Sequence, residues 1–284
     1  MASYAVAEER GLPHVQVNIG TDRFCRTIVE LLEEPLSELG CARGTAGLLA
    51  APRWTMLPLP FDVSADSTTH SPHRFREPPR VGAPARALPP WWGDRTDPLV
   101  YVTFGTVAAG LGLFPAFYRR VVDAFTELPT RVLLTLGQAG APEALGALPD
   151  NVHVERWWPQ RELMPHVAAV VGHGGFGTTM LALAAGIPQV VVPLFSADQF
   201  DNATRVEAVG VGVAVCDPGA ADLLTSAVLP NGPSAIDTLA SAVLRILHDT
   251  DLRQRAHELA TEVAALPPAA DAVLALENLV TTAR

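Results

Sequence analysis

A glycine-rich stretch in the second half of the chain has the residue types and spacing of an anion-binding turn. An apolar run ends at Val171, and a helical pattern begins near Thr178. The intervening glycines allow a tight turn and leave the unpaired amides of the first helical turn facing outward. These amides and the helix dipole attract an anion. The sequence therefore predicts a phosphate site at Gly174 and Gly175, with His173 as a donor and the Thr178 hydroxyl as a helix cap or phosphate contact.

The same stretch permits two other interpretations. One is a plain strand-to-helix connection whose histidine is satisfied internally. The other is a dinucleotide-binding dehydrogenase, because Gly172 to Gly177 fit GxGxxG and Asp198 follows about 20 residues later. Two features disfavour the dehydrogenase. Asp198 lies in a loop beyond Pro193, and the motif follows the fourth strand of the array, whereas the dinucleotide motif opens the first unit.

The charge balance restricts what the chain can bind. Of its 284 residues, 20 are basic and 30 are acidic, which gives a formal net charge of −10. Every basic residue is arginine, so sites that need a Schiff-base, P-loop or kinase lysine are excluded. Nucleic acid is not an expected partner, because its backbone requires a basic face. A phosphate must be bound by arginine, histidine, hydroxyl groups or backbone amides.

Cysteine use and hydropathy predict a cytoplasmic protein without a metal site or membrane contact. Cys25, Cys41 and Cys216 lie far apart, with neither zinc-ligand spacing nor a disulfide framework. Met1 leads into charged residues without the apolar run of a signal peptide. The stretch 163–197 has no formal charge, but glycines and prolines interrupt it, which is unlike a membrane helix.

The elements that must position the glycine-rich turn succeed one another regularly from residue 99. Short β-branched runs alternate with helical stretches, which predicts a doubly wound parallel sheet in an α/β fold. The predicted strands are 100–104, 132–136, 152–157, 168–171, 190–194 and 211–215. The predicted helices are 115–128, 161–167, 178–185, 202–209, 220–228, 234–249, 252–266 and 270–282.

The first 98 residues follow a different pattern. We expect a strand at 15–19 and a helix at 26–39 that is kinked or begins at Pro35. A segment rich in proline and with little periodicity follows. Because one βα unit takes about 30 residues, residues 1–60 have room for only two such units. A second complete α/β domain therefore does not fit.

Several separated blocks match one known pattern in order and spacing over residues 99–230. They are Trp157-Trp158-Pro159-Gln160, His173-Gly174-Gly175-Phe176-Gly177-Thr178, Gly186-Ile187-Pro188-Gln189, Pro193 with Asp198-Gln199, and Asn202-Ala203. Together they resemble the donor-binding region of family 1 glycosyltransferases, most closely the actinobacterial antibiotic and macrolide type. Residues 101–106 resemble the start of that family's C-terminal domain, and residues 5–20 resemble a strand late in its N-terminal domain.

The resemblance implies the GT-B architecture, in which two α/β domains face each other. Here it implies a doubly wound C-terminal domain and a partial N-terminal one. Residues 1–60 would be the remnant of the N-terminal, acceptor-binding domain, and 61–98 a Pro-rich linker. Residues 99–266 would bind the nucleotide sugar, and 267–284 would form a helix that crosses back to the N-terminal part.

The resemblance also implies which residues contact the nucleoside and the sugar of the donor. Trp157 would stack on the base, while the Trp158 backbone and Gln160 would contact the edge of the base and ribose. Asp198 and Gln199 would hydrogen-bond to sugar hydroxyls. A flat aromatic ring suits a pyrimidine, and a carboxylate beside an amide suits adjacent hydroxyls.

The same resemblance implies that the glycine-rich turn supplies the contacts to the diphosphate. His173, Thr178 and the amides around Gly174 and Gly175 would hold the diphosphate, with help from Thr106. Donors at the start of a helix stabilise the charge that develops on a leaving diphosphate. The family needs no metal for the transfer, and no cofactor other than the donor substrate is implied.

One departure from the family pattern bears on the nucleotide. Plant members carry a glutamate three residues after the serine or threonine of the motif, and it holds both ribose hydroxyls. Leu181 occupies this position here. An apolar side chain cannot bind a 2′-hydroxyl, so we expect a dTDP-sugar, with a deoxyhexose or hexose, in preference to a UDP-sugar.

A second departure concerns catalysis. The general base of the family is a histidine near the start of its N-terminal domain, and His14 does not match it, so no catalytic residue is assigned. We expect a glycosyltransferase acting on a small hydroxylated acceptor such as a macrolide. The alternative is a non-catalytic nucleotide-sugar-binding module that needs a partner. A partial first domain exposes a sheet edge, which predicts a homo-oligomer or a partner supplying the N-terminal domain.

Overall fold

The computed structural model describes residues 2–62, 72–77, 87–217 and 232–282. The chain divides into two compact units, one of Met1–Arg80 with Glu262–Arg284 and one of Val81–Thr261. The helix predicted at 220–228 lies outside the described residues. The four-part division predicted from the sequence stays a prediction.

A three-stranded parallel sheet forms the centre of the first unit, in the order β1-β2-β3. Tyr4, Val29, Leu36 and Leu48 bury their side chains together beside it. The elements of this unit up to residue 80 are α1 (Ala2–Glu9), β1 (Gln16–Val17), α2 (Asp22–Glu30), α3 (Glu33–Glu38), α4 (Gly44–Ala50), β2 (Arg53–Thr55) and β3 (His73–Arg74).

The start of the chain differs from expectation in two places. Residues 5–20 do not form one strand, because the alanine-rich segment before residue 10 is the helix α1 and only Gln16–Val17 is extended. The helix expected at 26–39 is two helices, α2 and α3. They are separated at Leu31, where the amides of Leu31 and Leu32 bond to the carbonyls of Ile28 and Val29 and end the first helix.

The described residues of the Pro-rich segment at 61–98 include ordered structure. They contribute the strand β3 and the buried side chains of Phe75 and Trp92. β3 is an edge strand, and prolines are tolerated next to such a strand because its outer side needs no hydrogen-bond partner. Periodicity could not detect a strand of two residues.

Six parallel strands form the sheet of the second unit, in the order β6-β5-β4-β7-β8-β9. The predicted doubly wound sheet is confirmed. Its elements are β4 (Leu99–Thr103), α5 (Ala116–Ala124), β5 (Arg131–Thr135), β6 (Val152–Glu155), α6 (Gln160–Leu163), β7 (Ala169–Gly172), α7 (Phe176–Ala185), β8 (Gln189–Val191), α8 (Ala197–Ala208), β9 (Gly212–Ala214), α9 (Leu239–His248) and α10 (Thr250–Ala265), with α11 (Ala270–Thr282) after them in the first unit.

The central strand β4 is buried on both faces, as expected for a parallel sheet covered by helices. Val100 and Val102 pack into one apolar cluster, while Leu99 and Tyr101 pack into a second cluster that includes Trp92. The alternation explains why this strand is an unbroken apolar run in the sequence. Within the described ranges, no helix is both long and apolar enough to cross a bilayer.

Candidate functional site

The strand order of the second unit reverses between the neighbouring strands β4 and β7. β4 leads to β5 and β6, whereas its other neighbour β7 leads to β8 and β9. Thr103 pairs with Gly172, so the turns that follow β4 and β7 leave the sheet side by side. Ligands of open α/β sheets bind in the crevice at such a reversal of strand order. We call this place the β4–β7 crevice, and the glycine-rich turn lies in it.

His173 occupies the space between these two turns. Gly105 follows β4 with φ of +80°, and a Cβ atom there would lie 2.9 Å from His173 Cε1. A Cβ atom on Gly175 would lie 2.5 Å from His173 Nε2. Phe195 stacks on the ring with 5.9 Å between centroids. The imidazole therefore fits only because glycine stands on both sides of it.

The imidazole of His173 is neutral at physiological pH. Burial lowers the pKa of His173 to about 4, although the Asp198 carboxylate and the Thr103 backbone favour the charged form. The ring retains a partly exposed edge, whereas Nδ1 is buried without a hydrogen bond of good geometry among the described residues. A neutral imidazole has one N–H donor, which can bind an oxygen anion without adding a charge.

Helix α8 holds the glycine-rich turn from behind. Gly174 has φ of +84°, and a Cβ atom there would lie 2.8 Å from the Gln199 carbonyl oxygen. The buried Asn202 amide donates to the Gly174 carbonyl oxygen over 2.7 Å. The helix begins at Ala197 and not at 202 as predicted, because Ser196 takes the extended conformation of an N-cap residue.

Asp198 and Gln199, the residues predicted to contact the sugar, lie in the first turn of α8. Gln199 is buried, and its Oε1 accepts hydrogen bonds from the backbone amides of Leu194 and Phe195 at 2.9 and 3.2 Å. Asp198 Oδ1 accepts a hydrogen bond from the Ser196 hydroxyl. The Gln199 oxygen is thus used to hold the loop after β8.

Gln160 and Thr178 were predicted to contact different parts of a donor, but they bond to each other. Gln160 Nε2 donates to Thr178 Oγ1 over 3.2 Å and to the Tyr101 hydroxyl over 3.1 Å. The Tyr101 hydroxyl lies 3.0 Å from Thr135 Oγ1. Because Gln160 begins α6 and Thr178 is in the first turn of α7, this pair brings segment 157–160 beside the glycine-rich turn.

The two tryptophans of segment 157–160 have different surroundings. Trp157 is 65% exposed, and it is the one exposed Phe, Tyr or Trp side chain in the part of the chain that the structure describes. Trp158 packs edge-on against Trp91, with 4.8 Å between centroids, in an apolar cluster that also includes Leu181. Trp157 therefore has a free face for stacking on a planar ring.

Several of the predicted site residues lie close to one another. His173 lies against Gly175 and near enough to the Asp198 carboxylate for its pKa to be affected, Gly174 lies against Gln199, and Gln160 bonds to Thr178. We call these seven residues the central set. Thr106 is exposed on the turn after β4, where its carbonyl accepts from the Gln138 amide over 3.4 Å. Among the described residues, the Thr106 side chain has no hydrogen bond to that set. Trp157 and Trp158 reach the set only through Gln160.

Sequence analysis missed the roles of two buried polar residues. Asn202 belongs to a matching block, yet nothing in the block indicates that its amide holds Gly174. Tyr101 lies within an apolar run, where an aromatic residue predicts only core packing. Burial of a polar group without an obvious partner is the signal that points to both residues, and it requires the fold.

The order of the six-stranded sheet and the glycine-rich turn in the β4–β7 crevice define a nucleotide-binding type of α/β domain. The same architecture occurs in GT-B glycosyltransferases. The spinosyn rhamnosyltransferase SpnG, solved in complex with thymidine diphosphate, is 26% identical with a TM-score of 0.73, over 96% of this chain and 69% of that one.

Residues 119–279 match the family described as erythromycin biosynthesis protein CIII-like, C-terminal domain, and the chain belongs to it. It is 34% identical to 4'-demethylrebeccamycin synthase of Lentzea aerocolonigenes, over 73% of this chain and 45% of that protein. It is 34% identical to L-demethylnoviosyl transferase of Streptomyces niveus, over 76% and 55%. The predicted resemblance is confirmed, and the chain spans about half the length of these curated relatives.

The low pKa of His173 predicts a loss of stability in acid. The unfolded histidine takes up a proton below about pH 6.5, whereas the folded one resists protonation down to about pH 4. The free energy of unfolding should therefore fall by about 2–3 kcal/mol more in the wild type than in His173→Gln between about pH 7.5 and pH 4.5. Urea titrations at the two pH values measure this difference. Equal losses in both proteins would contradict it, and His248→Gln, at an exposed histidine, is the matched control.

Proposed function

We propose that the chain is the donor-binding part of an antibiotic-type glycosyltransferase. It would transfer a hexose or deoxyhexose from a dTDP- or UDP-sugar to a small hydroxylated natural product. The observation that carries this proposal is the β4–β7 crevice, where His173 lies between glycines beside the start of α7. Family membership favours a sugar nucleotide there over a nicotinamide cofactor.

We propose that the diphosphate binds at the start of α7. No side chain caps this helix, so its first amides are available to an anion, and Gly175 keeps the approach free of a side chain. His173 and Thr178 would add donors from the two sides, with Thr106 reaching in from the turn after β4. These donors would stabilise the negative charge that grows on the diphosphate as it leaves.

The nucleoside and the sugar would extend in opposite directions from the diphosphate. Trp157 offers an exposed ring for stacking on the base, next to the Trp158 backbone and Gln160. Asp198 and Gln199 would bind sugar hydroxyls. The Gln199 oxygen already accepts two backbone hydrogen bonds, so its amide nitrogen would donate to the sugar while the Asp198 carboxylate would accept.

The proposed transfer is a single inverting displacement at the anomeric carbon without a metal. The acceptor oxygen would bond to the anomeric carbon as the bond to the diphosphate breaks, and its proton would pass to a base that the rest of the enzyme supplies. The donors of the crevice would stabilise the negative charge that a metal ion otherwise neutralises. We propose no residue of this chain as the general base. The names of the relatives favour an enzyme over a module that only binds the donor.

Calorimetric titration with dTDP and UDP tests the donor site. The wild type should bind one of the two saturably, and His173→Ala and Trp157→Ala should each weaken binding about tenfold or more through a lost hydrogen bond or stacking face. His248→Ala should bind like the wild type. A folded wild type that binds neither nucleotide would show that the fold persists without this function.

The surroundings of Leu181 support dTDP as the nucleotide. Leu181 packs into the apolar cluster of Trp158, where it offers no hydrogen bond to a ribose 2′-hydroxyl. The complex of SpnG with thymidine diphosphate supports the same choice.

Comparison of UDP with dUDP isolates the effect of the 2′-hydroxyl. We expect the wild type to bind dUDP at least as tightly as UDP. Leu181→Glu should shift this ratio about tenfold toward UDP, because its carboxylate would accept a hydrogen bond from the 2′-hydroxyl. Leu181→Met keeps the side chain apolar and should leave the ratio unchanged. A wild type that binds UDP tenfold tighter than dTDP would refute the dTDP assignment.

We also propose that a second polypeptide covers the outer edge of β1. Among the described residues β1 pairs only with β2, and Val17 and Ile19 beside this edge are 65% and 70% exposed. An exposed apolar strand edge readily accepts another chain. The occupant would be a second copy of this chain or an N-terminal domain.

Sedimentation velocity at about 10 µM tests self-association, because typical specific interfaces hold at such concentrations. We expect a dimer or larger species in the wild type and a shift toward monomer in Val17→Lys, since an edge lysine opposes strand pairing. Val107→Lys makes the same exchange at an exposed valine of the second unit. A monodisperse wild-type monomer would contradict self-association.

A further inference from the structure

Four polar side chains form one connected chain of hydrogen bonds beneath the β4–β7 crevice. Thr135 Oγ1 contacts the Tyr101 hydroxyl at 3.0 Å, and that hydroxyl accepts from Gln160 Nε2 at 3.1 Å. Gln160 Nε2 also donates to Thr178 Oγ1 at 3.2 Å. Thr135, Tyr101 and Thr178 are buried, so this hydrogen-bond network lies between the sheet and the helices.

The Gln160 amide is oriented with its nitrogen toward two hydroxyls. An amide nitrogen has two N–H donors, and the hydroxyls of Tyr101 and Thr178 accept them. The Tyr101 hydroxyl can then use its own proton for Thr135 Oγ1, so it joins the Gln160 amide to the sheet. Loss of the Tyr101 hydroxyl would remove one of the two acceptors that hold the amide in place.

This orientation assigns complementary roles to Gln160 and Thr178. Gln160 Oε1 is the polar atom of the amide that is left for a ligand, and an amide oxygen only accepts hydrogen bonds. The Thr178 hydroxyl accepts from Gln160 Nε2, and its oxygen lies 3.5 Å from Gln160 Oε1, at the long limit of a hydrogen bond. Because this contact is weak, the Thr178 proton is available to an oxygen of a diphosphate.

We propose that Tyr101 is a positioning residue of the donor site. Its buried hydroxyl fixes the Gln160 amide, so that Gln160 presents an acceptor to the nucleoside and Thr178 presents a donor to the diphosphate. This inference rests on the proposed function, because it takes the crevice to bind a nucleoside diphosphate. Tyr101 itself is buried and would contact neither the nucleoside nor the phosphates.

Tyr101→Phe removes the hydroxyl and keeps the buried ring. The Gln160 amide can then rotate, so the affinity for dTDP measured by calorimetry should fall about tenfold, the effect of roughly one well-placed hydrogen bond. Tyr118→Phe is the matched control, since Tyr118 is also fully buried and donates to the Leu136 carbonyl outside this network at 3.5 Å. It should bind dTDP like the wild type.

A double-mutant cycle separates positioning from general loosening of the core. In the Gln160→Met background, Tyr101→Phe should cause no further loss of dTDP affinity if Tyr101 acts through Gln160. An additive loss, or a Tyr101→Phe affinity equal to that of Tyr118→Phe, would overturn the proposal.

A measurement without nucleotide distinguishes failure of this inference from failure of the proposed function. The side-chain amide protons of Gln160, assigned by NMR from their absence in Gln160→Met, should exchange slowly in the wild type and in Tyr118→Phe, and at least tenfold faster in Tyr101→Phe. Unchanged exchange in Tyr101→Phe would overturn the fixed amide even if dTDP binds. If the Gln160 amide exchanges slowly in the wild type but dTDP does not bind, then dTDP is not the ligand and Tyr101 has no role in binding it. Only the fixed orientation of the Gln160 amide would then remain.

Discussion

The parallel pairing of β4 with β7 is the constraint on which the rest of the second unit depends. It places the turns after the two strands side by side, and the His173 ring then fills the gap between Gly105 and Gly175. A side chain at either glycine would push the ring out. The same pairing directs the start of α7 toward the crevice. The strand order therefore determines where the site lies.

Helix α8 and the Gln160 network stabilise this arrangement from two sides. Asn202 bonds to the carbonyl of Gly174, and Gln199 bonds to the loop after β8. Gln199, which was predicted to contact the sugar, therefore also holds the backbone. Tyr101 and Gln160 connect α6 and α7 to the centre of the sheet. The same few polar side chains that we propose for binding therefore also hold the local backbone, as preorganised sites require.

The electrostatics of the crevice follow from the composition of the chain. No lysine is present, and burial holds the pKa of His173 at about 4, so the His173 N–H and the Thr178 hydroxyl are neutral donors. Neutral N–H and O–H groups can stabilise an anion without a permanent ion pair. The Asp198 carboxylate lies near His173 and would repel an anion that is not held by hydrogen-bond donors.

The sequence by itself determined the repeated strands and helices, the glycine-rich turn and the family, because apolar periodicity and glycine spacing are local properties that survive without a fold. It did not reveal β3 in the Pro-rich segment, the early start of α8 or the bond between Gln160 and Thr178. Those features arise from contacts between segments that are distant in the chain, such as Trp54 with His73 and Tyr101 with Gln160. Only the tertiary structure decides such contacts, because each polar group takes its partner from whatever the packing places within reach.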